Sequence, residues 1–460
     1  MSVFNRLACV FKPPAKKEIF SEDLKQVNKK FIILRNQVFG FSILSYILYY
    51  FTRQAYTVAG SALESNGSIT KMEYALMGTI FAVVYGGAKF IVGNVADRSS
   101  GRVIMIVGLF VSSILNIIMG GVVAFAGNKI SVGPFVMMLS LIAMLAVFQG
   151  MGWPATARLF SHWFTDKERS GRIGIWNSGQ NIGAALLPVV VISLVTVLDP
   201  GGTIYGLYFW IPSVFALAMI PLCLWGLRDR PEAEGLPTVE KWKGVLEHKE
   251  EKAELNWKEI FVKYILKNKF LWILAFANIW VYVVRQGLAG WTLILMKDVH
   301  GLDLKHSKWF AACFELSGLF GGISAAYFAK WFFNNRKAPL MIFGLLIALC
   351  GLVLLQVAPR GNMPMLITAL MIAGFGVYMP QAMIGATAIE LTNKKAAATA
   401  SGFTGLSGYF LGDALFSKVV IAGFCNENWD YLFYYFYGCI AAAILSLALL
   451  WTKNQDNKIL

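Results

Sequence analysis

The sequence predicts an all-α membrane protein with twelve transmembrane helices in two six-helix bundles related by a pseudo-twofold axis. Three observations predict it. Of the 460 residues, 57% are hydrophobic and only 15% charged, against about 25% charged in an ordinary soluble domain. Apolar runs long enough to cross a bilayer, about 20 residues each, recur from end to end. Backbone in lipid must satisfy its own hydrogen bonds, and these runs are too long for barrel strands, so they are helices. Finally, the pattern Tyr-x-x-Arg-Gln occurs twice, at Tyr50–Arg53–Gln54 and at Tyr282–Arg285–Gln286. A spaced repeat of this kind points to two equivalent halves.

Residues 1–37 are read as a cytoplasmic segment. The first 30 are polar and charged and lack a signal-like apolar core, so no cleavable signal peptide is expected. Two readings stand for them: a helix lying on the inner surface, with Lys16, Lys17, Lys29 and Lys30 near anionic lipid, or a solvated tail. Six spans follow, at about 38–62, 73–95, 103–126, 131–158, 173–198 and 203–227, giving an N-terminal bundle over 38–227. The longest polar interruption, "RDRPEAEGLPTVEKWKGVLEHKEEKAELNWKE", lies in a cytoplasmic linker over 228–267. Six more spans, at about 268–296, 307–331, 339–358, 363–390, 398–424 and 429–452, form a C-terminal bundle over 268–452, before a cytoplasmic tail at 453–460. "GMGWP" in span 4 is similar to "GFGVYMP" in span 10, a second trace of the repeat.

The net charge of +15 does not indicate nucleic-acid binding. The basic residues sit mainly in the segments that twelve spans place on one side, among them "DRSSGR", "TDKERSGR", "NNRKAP" and "TNKKA". That is the positive-inside pattern, and it puts both termini in the cytoplasm. The expected location is a bacterial cytoplasmic (inner) membrane, as a monomer. The six cysteines (Cys9, Cys223, Cys313, Cys350, Cys425, Cys439) show no metal spacing and are read as packing residues. The four histidines do not cluster. No nucleophile, base and orienting group occur together, so neither an enzyme, a metal site nor a cofactor is expected.

An ionisable group at the bilayer centre costs at least about 2.5–3.5 kcal/mol on insertion scales and faces a partner or a water-filled path. The candidates are Arg53, Lys89, Arg285, Glu315, Asp413 and Lys418. Tyr46, Tyr50 and Arg53 share one stripe of span 1; Tyr85 and Lys89 are i, i+4 on span 2; Tyr282 and Arg285 are i, i+3 on span 7. Each cation thus has a phenol on its own face. The first half supplies two cations and no mid-span acid, the second Arg285 with Glu315 and Asp413. Such a cavity favours an anion. Two opposed arginines suit a tetrahedral dianion, because the guanidinium fork matches two phosphate oxygens and stays charged when desolvated. Lipid snorkelling or simple acid pairing is the competing account of the arginines. Glu315 is read as an internal counter-ion or a gating residue. Asp413 and Lys418 stand five apart, on different faces of an α-helix, so no aligned ion pair is expected. Lys418, near the outer end of span 11, has snorkelling as one reading. Gly402, Gly405, Gly408 and Gly412 run down one side of that span and permit close helix packing.

Two six-helix halves about an axis along the membrane normal are the architecture of the major facilitator superfamily, and "GNVADRSSGR" resembles its loop signature with one extra residue before Gly101. Along nearly the whole chain, "YYFTRQ", "YGGAKFIVGNVADRSSGR", "FQGMGWPATARLFSHWF", "KERSGRIGIWNSGQNIGA", "VYVVRQG" and "KKAAATASGFTGLSGYFLG" resemble the organophosphate:inorganic phosphate antiporter family. The resemblance implies that Arg53 and Arg285 bind the phosphate, and that Lys89, Tyr46, Tyr50, Tyr85, Tyr282, Tyr378, Tyr409 and Glu315 line or gate the cavity. Asp413 is counted with them. Family members commonly carry a histidine where this chain has Gln180, and a glutamine cannot titrate. Glycerol-phosphate members tend to carry Lys after the first arginine and an acid five residues after the second; here those positions are Gln54 and Gly290. "GYFLGDALFSK" resembles hexose-phosphate members, which carry an Asp and a Lys in this helix.

The expectation is therefore a secondary antiporter exchanging a sugar phosphate, hexose 6-phosphate above others, for inorganic phosphate by alternating access. The alternatives are a membrane sensor of sugar phosphate signalling to a partner kinase, an antiporter for another organophosphate such as glycerol 3-phosphate, and a facilitator for an unphosphorylated anion.

Overall fold

The structure, a computed structural model, describes residues 14–18, 23–127, 129–244, 265–392 and 396–451. Within its helices the side chains of residues 89–91, 93–98, 166, 170, 397–398 and 425–427 also lie outside the described set, so the Lys89 side chain is not described. Cys9 and the Cys425 side chain are likewise outside it.

The first half runs α1 (Leu24–Ser65), α2 (Lys71–Arg98), α3 (Gly101–Ala126), α4 (Val132–Gln149), α5 (Gly152–Trp163), α6 (Asp166–Leu198) and α7 (Leu207–Gly226). A short 3-10 turn (Pro231–Glu234) and α8 (Val239–Lys243) follow. The second half runs α9 (Lys269–His300), α10 (Leu304–Phe333), α11 (Lys337–Val357), α12 (Met363–Glu390), α13 (Ala397–Ser407), a π-helical segment (Gly408–Val420), α14 (Ile421–Glu427) and α15 (Asp430–Ala448). Among the described residues, eleven helices are long and apolar enough to cross a membrane, with α4–α5 and the α13–α14 stretch each counted as one. α2, at 28 residues, occupies the remaining place.

Spans 1 and 4 differ from their predicted form. α1 begins at Leu24, well before the expected start of span 1, and is capped by Asp23, whose carboxylate accepts from the Lys25 N–H. Val27, Phe31 and Val38 form a buried stripe. Trp163 and Trp242 cover Phe31, the latter stacked at 4.2 Å and 7°. The early residues therefore continue span 1 and pack on protein rather than lying flat on lipid. Lys30 Nζ donates to the Glu234 carbonyl at 2.9 Å, and the Lys17 N–H to Glu232. Span 4 is two helices, because the chain turns at Gly150–Met151, just before Pro154.

The start of the linker is docked on the first half. Asp229 accepts from Ser100 Oγ (2.6 Å) and from the Arg102 N–H (3.0 Å), placing an acid at the N-terminus of α3 where the helix dipole favours it. Arg35 of α1 pairs with Glu168 of α6 at 2.6 Å. Thr165 and Glu168 form a capping box that starts α6.

Within the halves, α1 packs on α6 and α7, and α12 lies between α10 and α11. Between them, α6 lies along α10 and α2 along the π segment. Twelve crossings return the chain to the face on which it began, called here the terminal face. Turns on the opposite, far face are tight: Gly67, Gly127, Gly202, Gly301 and Gly361 all adopt positive φ, which a side chain resists.

Candidate functional site

A cavity of about 1220 Å³ lies between the two halves. Its walls run from mid-helix to the terminal-face ends: Trp153 of α5, Gly171 and Ile175 of α6, Ile389 of α12 and Ser401 of α13. It therefore opens to the terminal face.

The far face is shut by contacts that cross the halves. Lys71 Nζ lies 2.7 Å from Asp298 Oδ2, Lys297 Nζ donates to the Ser65 carbonyl at 2.8 Å, and Lys308 Nζ donates to Ser193 Oγ at 2.7 Å. Deeper in, Tyr74 Oη donates to the Gly290 carbonyl (2.5 Å) and Thr79 Oγ1 to the Ala414 carbonyl (2.9 Å).

Of the predicted site residues, Arg285, Tyr46, Tyr50, Tyr85, Gln180, Tyr282, Tyr378 and Tyr409 line this cavity. Tyr46 is stacked on Trp176 at 3.9 Å, and Tyr50 Oη donates to Gln180 Oε1 at 3.0 Å. Tyr409 stands between the halves, meeting Tyr85 and Tyr282 edge-on at 5.3 Å each. The glycines of span 11 explain how it gets there. A Cβ on Gly408 would stand 2.8 Å from the Tyr282 ring and one on Gly412 2.7 Å from Tyr282 Cβ, so the bare backbone lies directly on that side chain. Gly402 and Gly405 instead line the cavity, and a Cβ on Gly405 would meet open space. The expected single packing stripe is thus divided between packing and cavity wall.

Arg285 is held by Tyr378. Its Nη2 donates to Tyr378 Oη at 3.2 Å, its guanidinium lies 4.6 Å above that ring, and its Nε is buried with no partner among the described residues. Tyr378 Oη in turn donates to Glu315 Oε2 at 2.5 Å, and Asn181 Nδ2 reaches the same oxygen at 3.3 Å. Glu315 therefore acts on Arg285 through Tyr378; among the described residues the two form no direct ion pair. A Cβ on Gly318 of α10 would run into the Tyr378 ring, so glycine makes room for the tyrosine that holds the arginine.

Arg53 occupies a different setting. Its guanidinium lies 4.2 Å from the Tyr85 ring centre, 5.0 Å from Phe81 and 5.2 Å from Tyr50, a stacked cationic arrangement. It does not itself line the cavity, and no acid pairs with it among the described residues. Glu315 and Asp413 also lie off the cavity wall. The predicted non-alignment of Asp413 and Lys418 is corrected here. Lys418 Nζ lies 3.9 Å from Asp413 Oδ1, because a π-helix closes its hydrogen bonds at i+5 and brings residues five apart onto one side. Lys418 does not snorkel; it is 8% exposed. Gln286, beside Arg285, donates to Asp413 Oδ2 at 2.8 Å.

Sequence reasoning missed Asn181, Trp153, Asn278 and Gln381, which also line the cavity. The spacing carried a signal for two of them. Asn278 is four residues before Tyr282 and seven before Arg285, on the same stripe, and Gln381 is three after Tyr378. Among the described residues no group of three or more His, Cys, Asp or Glu is placed to hold a metal ion.

The model of the Major Facilitator Superfamily matches residues 42–417. The chain is 32% identical to a glycerol-3-phosphate transporter of Bacillus subtilis, covering 97% of this chain and 98% of the relative. It is 34% identical to the membrane sensor protein UhpC of Escherichia coli, over 95% and 96% of the two chains. It is also 31% identical to a probable hexose phosphate transport protein of Chlamydia trachomatis, over 97% of each. Among solved structures, a bacterial homologue of the human lysosomal transporter Spinster has a similar fold, with a TM-score of 0.67 at 17% identity over 91% of this chain and 95% of that one.

Proposed function

This chain belongs to the Major Facilitator Superfamily and, within it, to the organophosphate:inorganic phosphate antiporter family; on that premise we propose that it exchanges a sugar phosphate, with hexose 6-phosphate favoured, for inorganic phosphate by alternating access. It is a multi-pass integral membrane protein and a transporter rather than an enzyme. The observation that carries the proposal is the unused positive charge at the cavity. Among the described residues, Arg285 lines it with Nε buried and unpartnered, and Arg53 lies against two of its lining tyrosines with no acid paired to it. A desolvated cation without a partner favours an anion strongly.

In this reading Arg53 and Arg285, with Lys89, take the phosphate. Tyr46, Tyr50, Tyr85, Tyr282, Tyr378, Tyr409 and Gln180 surround the remainder of the substrate, and Glu315 and Asp413 gate. The bundles are residues 38–227 and 268–452, moving as two units of one monomer, with the linker, 228–267, and both ends of the chain (1–37 and 453–460) cytoplasmic in a bacterial inner membrane. The cavity then faces inward. Phosphate draws the two arginines together and relieves their repulsion, and that difference in affinity between conformations tilts the halves. The empty carrier switches poorly, which makes exchange obligatory. Hexose phosphate is favoured over glycerol phosphate by Asp413 and Lys418 in span 11 and by Gln54 and Gly290 where charges would otherwise stand.

Uptake of labelled glucose 6-phosphate into vesicles loaded with inorganic phosphate tests this. Stimulation by internal phosphate and competition by external phosphate are expected; uptake indifferent to phosphate overturns antiport. A second reading, a sensor of sugar phosphate, is favoured by the likeness to the membrane sensor protein. Binding without uptake in the same vesicles supports it.

A further inference from the structure

Two glycines on opposite halves leave room for one lysine. A Cβ on Gly78 of α2 would stand 2.9 Å from Lys418 Cε and 3.0 Å from its Cδ, and a Cβ on Gly290 of α9 would meet its Nζ. The stem of Lys418 thus lies flat on the first half while its ammonium fills the space a side chain would take on the second. The seam on either side of it is hydrogen-bonded. Tyr74, one turn before Gly78, donates to Gly290, and Thr79, next to Gly78, donates to the backbone of the π segment that carries Lys418.

We propose that Lys418 is the bolt of the far-face gate: a positioning residue that keeps the far end of the cavity closed by filling the gap between Gly78 and Gly290. Asp413 and Gln286 tie it to the helix of Arg285. The proposal rests on the alternating-access reading only for its coupling to phosphate; the closure is a matter of packing. A lysine stem covers apolar surface while its head finds a polar partner, and at this depth the head must have one. Asp413 supplies it, at a distance the π-helical winding permits. Separating α2 from the π segment removes the cover over the stem and gives the ammonium water instead. The bolt therefore has two states, pinned and solvated. Gln286 holds the other oxygen of Asp413 and is the neighbour of Arg285 in sequence, so a shift of α9 at the arginine moves the pair.

Spin labels at Lys129 and Arg360, exposed positions on far-face turns of the two halves, report the gate by their distance distribution in the full-length protein in nanodiscs. Wild type is expected to show mainly the short distance. Lys418→Ala is expected to raise the long-distance population roughly threefold or more. Lys418→Met, which keeps the stem, is expected to raise it less. Gly78→Ala, which pushes on the same stem from the other half, is expected to shift it in the same direction. An unchanged distribution in Lys418→Ala and in Gly78→Ala overturns the bolt, whatever the transported substrate proves to be. Inorganic phosphate is then titrated. A phosphate-induced shift present in wild type and lost in Gln286→Leu supports the relay, and one that survives overturns it. The absence of any phosphate response in wild type overturns the phosphate reading and the relay together and leaves the bolt standing.

Discussion

Asn181 of α6 and Glu315 of α10 meet across the two halves, with Asn181 Nδ2 3.3 Å from Glu315 Oε2 and 3.4 Å from the Glu315 carbonyl. The same carboxylate oxygen accepts from Tyr378, which holds Arg285. One buried acid therefore ties the first half to the arginine of the second. Glu315→Gln keeps an acceptor for Tyr378 and removes the charge that offsets Arg285. Half-saturation for inorganic phosphate is expected to fall about tenfold, a change of roughly 1.4 kcal/mol, because a buried negative charge no longer opposes the anion, while maximal exchange slows because release slows. Kinetics of phosphate self-exchange in proteoliposomes check this; a rise in half-saturation contradicts it.

The two arginines are expected to be intolerant of lysine. Arg53→Lys and Arg285→Lys keep the charge and lose the fork, and lysine cannot make the bidentate contact. A loss of about 10- to 100-fold in transport efficiency is expected for each, from the roughly 1.5–3 kcal/mol of a charged hydrogen bond. Full phosphate exchange in both variants would sink the assignment of the two arginines to the phosphate.

Tyr378→Phe and Gly318→Ala are expected to fail for the same reason. The first removes the hydroxyl that both receives Arg285 and donates to Glu315; the second drives a methyl into the ring. Both raise half-saturation for phosphate, with Gly318→Ala also lowering thermal stability by about 1–3 kcal/mol through overpacking. A thermal-shift series alongside exchange kinetics separates the two effects.

The far-face pair Lys71–Asp298 joins α2 to α9 at 2.7 Å with both side chains about one-fifth exposed. Lys71→Asp or Asp298→Lys alone is expected to weaken that closure by about 0.5–1 kcal/mol, the ordinary range for a solvent-screened pair. The double reversal is expected to restore it. The distance distribution between spin labels at Lys129 and Arg360, exposed on far-face turns of the two halves, reads the change, and a double reversal that opens as far as either single variant contradicts it.

The fold was legible because lipid leaves a chain few choices. Long apolar runs have to be helices, and the repeated Tyr-x-x-Arg-Gln marked two halves. Most of the cavity was legible for a related reason: Tyr46, Tyr50, Tyr282 and Arg285 share helical stripes, and periodicity tells which residues face together. Asn278 and Gln381 stand on the same stripes, but an uncharged amide in an apolar run carries far less insertion cost than a charge and so does not mark itself as functional.

What the sequence by itself determined is the architecture, the surplus of buried cations and the residues that present them. Tertiary structure alone decided which partners those groups take. Asp413 and Lys418 pair because a π-helical segment changes the angle per residue, a property that no α-helical spacing rule contains. Arg285 is tied to Glu315 through Tyr378, and Arg53 is stacked on aromatic rings away from the cavity wall, because helix packing sets distances between segments remote in sequence. The shut face follows from the same cause. Gly78 and Gly290 are unremarkable letters in the chain until Lys418 lies between them.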